Sequence, residues 1–194
     1  MRKKEFPPSQ RVGRLSFEKV TETLQAGSGG ESSGAAGGRE ADRVLHIYVD
    51  ADGCPVKDEI YRVAKRHQLS ATVVSNTRIF VPGQAGITLV VVEGRFDAAD
   101  DWIVEQAKTD DIVVTADIPL ASRCIPSGVV VLDQRGGEFT EDNIGSALAN
   151  REMMSQLRDM GTITRGPAPF EPRDRSRFLH RLDETIRAIR RRHP

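Results

Sequence analysis

Cysteine is scarce, long apolar runs are missing, and neither sign of charge is in excess. The two cysteines, Cys54 and Cys124, are too few for a disulfide framework, and no CxxC pair suggests a zinc site. That usage fits a reducing compartment, so a cytoplasmic location is expected. No stretch reaches the roughly 18 apolar residues that a membrane span needs, so no membrane partner is expected. The basic N-terminus has no apolar segment of the kind a secretory signal carries. No internal repeat is evident, which sets repeat architectures aside.

The formal net charge of zero hides an uneven spread. Residues 1–43 hold eight Lys/Arg against six Asp/Glu, and residues 171–194 hold eight Arg against four acids. The middle, 44–170, is left with 12 bases and 18 acids, a net of −6. An acidic body with a basic C-terminal helix is compatible with a cation site beside a surface that tolerates phosphates.

What is present divides the chain in two. "AGSGGESSGAAGG", residues 26–38, has the composition of a flexible linker. Leu15, Val20 and Leu24 before it are too few to build a core. Residues 1–43 therefore read as a disordered Gly/Ser-rich tail, or as an over-extended gene start with translation beginning near Val44. From 44 to 194 the pattern is that of one domain. Short Val/Ile-rich runs over 44–50, 69–75, 87–93, 111–117 and 128–133 predict five strands. Between and after them, helices are expected from Pro55 to about His67, over 96–108, over "IPLASRCI", over 140–160 and over 172–192. Continuous apolar strands alternating with helices imply an α/β fold, a mostly parallel sheet covered on both faces.

In such sheets ligands bind outside the carboxyl ends of the strands. Asp50 ends the first strand, Ser75 and Asn76 the second, and Asp117 the fourth. Asp97, Asp100 and Asp101 open the helix that starts at that same edge. Carboxylates gathered there repel one another unless a cation sits among them, and hard oxygen donors suit Mg²⁺ or Mn²⁺. Asp50, Asp52, Asp97, Asp100, Asp101 and Asp117 are thus candidate metal ligands. Each has a plainer reading beside it. Asp52 serves equally as a helix cap, whereas Asp97 and Asp101 share a solvated face with Glu105 and Lys108. Asp100 lies nearer Ile103, Val104 and Ala107, where a charge asks for a partner. Cys54 has no orienting histidine and reads as a small packed residue.

The segments "VDADGCPVKDEIYRVA", "VVVEGRFDAADDWIVE", "VVTADIPLA", "VLDQRGGEFTEDNI" and "RGPAPFEPRDRSRF" resemble the signatures of the YaiI/YqxD family of bacterial proteins. The resemblance spans roughly 44–182. It implies kinship with PIN-like nuclease folds, with acids that hold Mg²⁺ or Mn²⁺ and, by that kinship, RNA as substrate. On the matching positions, Asp50 and Asp117 are the strand-borne acids and "DAADD" supplies the helix-borne set, Asp100 among them. Asn76 and the Arg135–Gly136 pair also match. The departures are the long tail and Gly53, where the family often has Ala.

Three functions are open on these residues. A nuclease would place catalytic Asp50, Asp100 and Asp117 around one or two divalent ions. Arg135, Arg173 and Arg175 would then position the phosphate backbone. "HIYVDADGCP" and "VVSN" also resemble the first two motifs of haloacid-dehalogenase-like phosphotransferases. There Asp50 would be the nucleophile, Asp52 the general acid/base and Ser75 a phosphate ligand, with Lys108 the one candidate for the third-motif lysine. The third reading is a non-catalytic metal- or RNA-binding domain.

Overall fold

The computed structural model of the chain describes residues 14–15, 45–83, 85–94, 97–161 and 168–193. The tail expected over 1–43 lies outside these residues apart from Arg14–Leu15, which form a short strand, β1. The remaining strands are β2 (His46–Asp50), β3 (Ser70–Ser75), β4 (Ile87–Val92), β5 (Ile112–Val114), β6 (Val130–Leu132) and β7 (Glu138–Phe139). The helices are α1 (Lys57–His67), α2 (Ala98–Gln106), α3 (Ile118–Cys124), α4 (Glu141–Asp159) and α5 (Pro172–Arg192). All five expected strands and five expected helices are present. Among the described residues, no helix is long and apolar enough to cross a membrane.

The strands lie in the order β1-β4-β3-β2-β5-β6-β7, parallel throughout except where β7 turns back along β6. Both faces of the sheet are apolar, as continuous β-branched runs require. Ile47, Val49, Ile112 and Val114 face α1 and α5, where Val56, Ile60, Val63, Phe178, Leu182 and Ile186 are buried. Val74, Val113 and Val131 face α2 and α3, meeting Ile103, Leu120 and Ala121. Helix α4 packs outside α3 and buries no residue fully.

This order places a switch point between β2 and β5. The chain leaves β2 through α1 on one face and leaves β5 through α3 on the other, so a crevice opens at their carboxyl ends. The strand expected over 111–117 is confined to Ile112–Val114, because the next three residues bend to cap α3. Asp117 donates its N–H to Thr115 Oγ1 (2.9 Å) and accepts from Leu120 N–H (2.9 Å).

The turn after β6 ties the last helix to this edge. Asp133 Oδ1 accepts from the N–H groups of Arg135 (2.7 Å) and Gly137 (2.8 Å), folding 133–137 tightly. Gly136 has φ +82°, and a Cβ there would stand 3.1 Å from both the Arg177 carbonyl oxygen and Phe178 Cα. Backbone contact and a left-handed conformation both demand glycine. Gly136→Ala is expected to cost about 1–3 kcal/mol. Urea unfolding of the variant checks this; an unchanged midpoint would contradict it.

Candidate active site at the switch point

Asp50 is the last residue of β2 and is buried. Its Oδ2 accepts from Thr115 Oγ1 at 2.7 Å and its Oδ1 from Asp52 N–H at 3.2 Å. With Asp117 N–H donating to the same threonine hydroxyl, a continuous path runs Asp117–Thr115–Asp50 across the crevice. Burial raises the Asp50 carboxyl above the ordinary range. The Thr115 and Asp52 hydrogen bonds hold it down, while the charges of Asp52 and Asp117 push it up again.

Asp100 approaches from α2 on the other side. Its carboxyl is pushed up to about 6, first by burial and then by the negative charges of Asp50, Asp117 and Asp97, with Arg123 acting the opposite way. The carboxylates of a strand end (Asp50), a helix cap (Asp117) and a helix (Asp100) are therefore coupled at a single edge.

The six expected acids are not equivalent. Asp50, Asp100 and Asp117 are brought together electrostatically. Asp52 is exposed on the turn and lends Asp50 its backbone N–H. Asp97 is exposed at the N-cap of α2. Asp101 is drawn elsewhere: Arg123 donates to its Oδ1 at 2.7 Å. Among the described residues, no group of three or more His, Cys, Asp or Glu side chains could hold a metal ion. The acids are separated by the work each does locally in a turn, a cap or an ion pair. The donor chemistry still fits a hard cation, since Mg²⁺ usually takes one or two protein carboxylates and completes its shell with water and substrate oxygens. Asp50 and Asp117 are two carboxylates at this edge, joined through Thr115.

The other expected residues fall around this centre. Ser75 ends β3 beside β2, buried, its hydroxyl accepting from Thr77 N–H at 3.2 Å; half-buried Asn76 follows. Arg135 is held by protein acceptors, donating to Asp174 Oδ2 (2.6 Å) and the Ala168 carbonyl (2.5 Å). Arg175 donates to the Pro55 carbonyl (2.5 Å) and Glu59 Oε2 (3.1 Å). Both guanidinium groups lie against the Phe170 ring, 5.7 and 5.3 Å from its centroid. The segment 168–175 thus folds back beside the loop that carries Asp52. Arg173 is exposed and pairs with Glu171 (2.8 Å). Lys108 belongs to the opposite edge, where its N–H donates to Asp111 Oδ2 (3.0 Å) just before β5. Burial pushes the Cys54 thiol up to about 11, so at neutral pH it is a packed, protonated residue.

Thr115 is the member that sequence reasoning missed. Its signal was the hydroxyl two residues before Asp117, at the end of an all-apolar strand.

The raised Asp100 value has a definite sign for stability. A carboxyl at about 6 when folded, against about 3.9 unfolded, binds more protons in the folded state between those values. Its favourable contribution is complete below pH ~4 and is lost as pH rises through 6. Asp100→Asn is therefore expected to stabilise the chain at pH 7.5 by on the order of 1–2 kcal/mol, and by much less near pH 4.5. Urea unfolding at the two pH values tests it, and no gain at pH 7.5 would contradict it.

Comparison with known proteins places this geometry. The model described as "Uncharacterized BCR, YaiI/YqxD family" matches residues 48–188. A UPF0178 protein of Rhodopseudomonas palustris is 54% identical over 151 residues, covering 78% of this chain and 96% of the relative. One from Bradyrhizobium diazoefficiens is 53% identical over 151 residues, covering 78% and 90%. Another, from Rhodospirillum centenum, is 52% identical over 152 residues, covering 76% and 99%. No solved structure matches the chain. The acids of the switch point, Asp50, Asp100 and Asp117, all lie within the matched span, and the chain belongs to the YaiI/YqxD family.

Proposed function

We propose that the chain is a divalent-metal-dependent phosphodiesterase acting on RNA. The observation that carries this reading is the placement of Asp50, Asp100 and Asp117 at the switch point, where burial first, and then the charges of Asp50, Asp117 and Asp97, lift Asp100 to about 6. Carboxylates crowded to that degree favour a cation or a proton, and hard oxygen donors select Mg²⁺ or Mn²⁺. RNA as substrate rests on the resemblance to PIN-like nucleases.

Asp50 and Asp117 would hold the ion, which when bound supplies Lewis-acid activation of water and neutralises phosphoryl charge. The Thr115 hydroxyl fixes the Asp50 carboxylate by donating to Oδ2, which leaves Oδ1 and its remaining lone pairs toward the crevice. Asp100 accepts the proton of the attacking water at its carboxylate, a base whose strength is matched to near-neutral pH. The arginines of the 168–175 segment and Arg135 stand at the same edge, where a phosphate backbone would run.

The aspartyl-phosphate reading has less support. Lys108, the one candidate for its third-motif lysine, lies at the opposite edge of the sheet.

The test is cleavage of short end-labelled RNA with Mn²⁺ or Mg²⁺. Asp50→Asn and Asp117→Asn are each expected to lower the rate by roughly 100-fold or more, and Thr115→Val by less. The native rate should rise as pH increases through about 6, where Asp100 loses its proton. Undiminished cleavage by the Asp50→Asn/Asp117→Asn double variant would overturn the reading. Metal-dependent hydrolysis of a phosphomonoester, with trapping of a phosphate mimic on Asp50, would decide for the phosphotransferase instead.

A further inference from the structure

Helices α1 and α5 lie side by side on one face of the sheet, and three buried acids stand along their seam. Each holds two arginines. Glu59 takes Arg62 (3.1 Å) and Arg175 (3.1 Å). Asp174 takes Arg135 (2.6 Å) and Arg177 (3.9 Å). Asp183 takes Arg66 (3.3 Å) and Arg187 (2.9 Å), with His67 Nε2 hydrogen-bonded to the same carboxylate at 2.7 Å. One guanidinium neutralises one carboxylate; the second leaves each group with a net charge of +1. Arg62, Arg66, Arg177 and Arg187 keep 57–63% of their side chains exposed. A guanidinium has five N–H donors in one plane, so an edge held by a carboxylate leaves others facing water. The exposed acid Glu171 is matched by Arg173, which leaves Asp58, in the first turn of α1, and Glu184, in α5, as the exposed acids of the two helices without an arginine or lysine partner in the ion pairs above.

We infer that this seam is a docking track for the phosphate backbone of an RNA strand. Part of the surplus charge is pre-oriented: Glu59 and Asp183 hold Arg62 and Arg66 by hydrogen bonds, so less side-chain freedom is lost there on binding. Its position also fits. Arg175 reaches the Pro55 carbonyl beside the Asp50–Asp52 corner, whereas Arg192 pairs with Asp110 at the amino edge. Helix α5 therefore runs from the acidic crevice to the far side of the sheet. The Asp174 and Asp183 groups stand about 14 Å apart along it. A strand lying there would leave the negative crevice at one end and follow positive charge away from it. The inference deepens the proposed function by naming how the same substrate is held, and it is tested without cleavage.

The experiment uses the full chain carrying Asp50→Asn/Asp117→Asn, in EDTA, with a fluorescent oligouridylate of about 12 nucleotides. Anisotropy is read over a series of salt concentrations. Arg62→Gln/Arg177→Gln/Arg187→Gln removes one arginine from each group and leaves every buried acid a cationic partner. That variant should lose at least about tenfold in affinity at low salt, and the slope of log K against log salt should fall by about 2, near 0.7 per lost phosphate contact. The corresponding triple Arg→Lys variant should keep most of both. If the Gln variant melts early, Arg62→Gln and Arg187→Gln alone should each lower the slope by about 0.7.

Equal binding by the native and Gln side chains would overturn the inference, as would binding to phosphatidylserine vesicles with none to RNA. Unchanged binding alongside metal-dependent cleavage sinks this track and spares the metal reading. Arginine-dependent binding by a chain that never cleaves RNA does the reverse.

Discussion

The structure turns on one buried carboxylate. Asp50 sits where the crossovers of a parallel sheet diverge, a position at which backbone N–H groups and side chains of two strands converge without a helix to cover them. Burying a charge there is costly unless hydrogen bonds compensate. Thr115 and the Asp52 amide supply two, and Thr115 in turn is locked by the amide of Asp117. The end of β5, the cap of α3 and the corner after β2 are thereby fixed relative to one another by a single hydroxyl. Asp100 is partly buried and faces this negative centre, and burial first, then the neighbouring charges, raise its proton affinity.

The same edge is closed by the C-terminal helix. Arg135 and Arg175 reach from different parts of the chain to the 168–174 segment and to the Pro55 corner, with Phe170 between them. Gly136 lets α5 approach the turn after β6 to backbone contact. Helix α5 is thus both a core element, through Phe178, Leu182 and Ile186, and the carrier of charge up to the crevice. A helix that were only a solvated lid would not bury Asp174 and Asp183.

Much of this was legible in the residues. Val/Ile-rich runs of the right length marked the five central strands, because a strand covered on both faces has no polar alternation to obscure it. Asp50 was legible as a strand end and Asp100 as the acid on the edge of a buried helix face, whereas Asp117, expected to end a strand, caps the helix that follows it. Strand order was not legible, since parallel strands buried on both faces look alike in sequence. The two-residue strands Arg14–Leu15 and Glu138–Phe139 are too short to carry any period. Asp101 read as a solvated-face residue, and its ion pair went unseen because the partner, Arg123, lies 22 residues away, on the next helix. The pairing of Arg135 with Asp174 spans 39 residues and left no local trace.

The central claim is that the switch-point carboxylates form a cation site. Calorimetric titration of Mn²⁺ into the full chain at pH 7.5 tests it most directly, with the Asp50→Asn/Asp117→Asn variant alongside. The account predicts saturable binding of one or two ions to the native chain and none at this site in the variant. Absence of binding to the native chain, or equal binding to both, would contradict it and leave Asp50 and Asp117 as turn and cap residues.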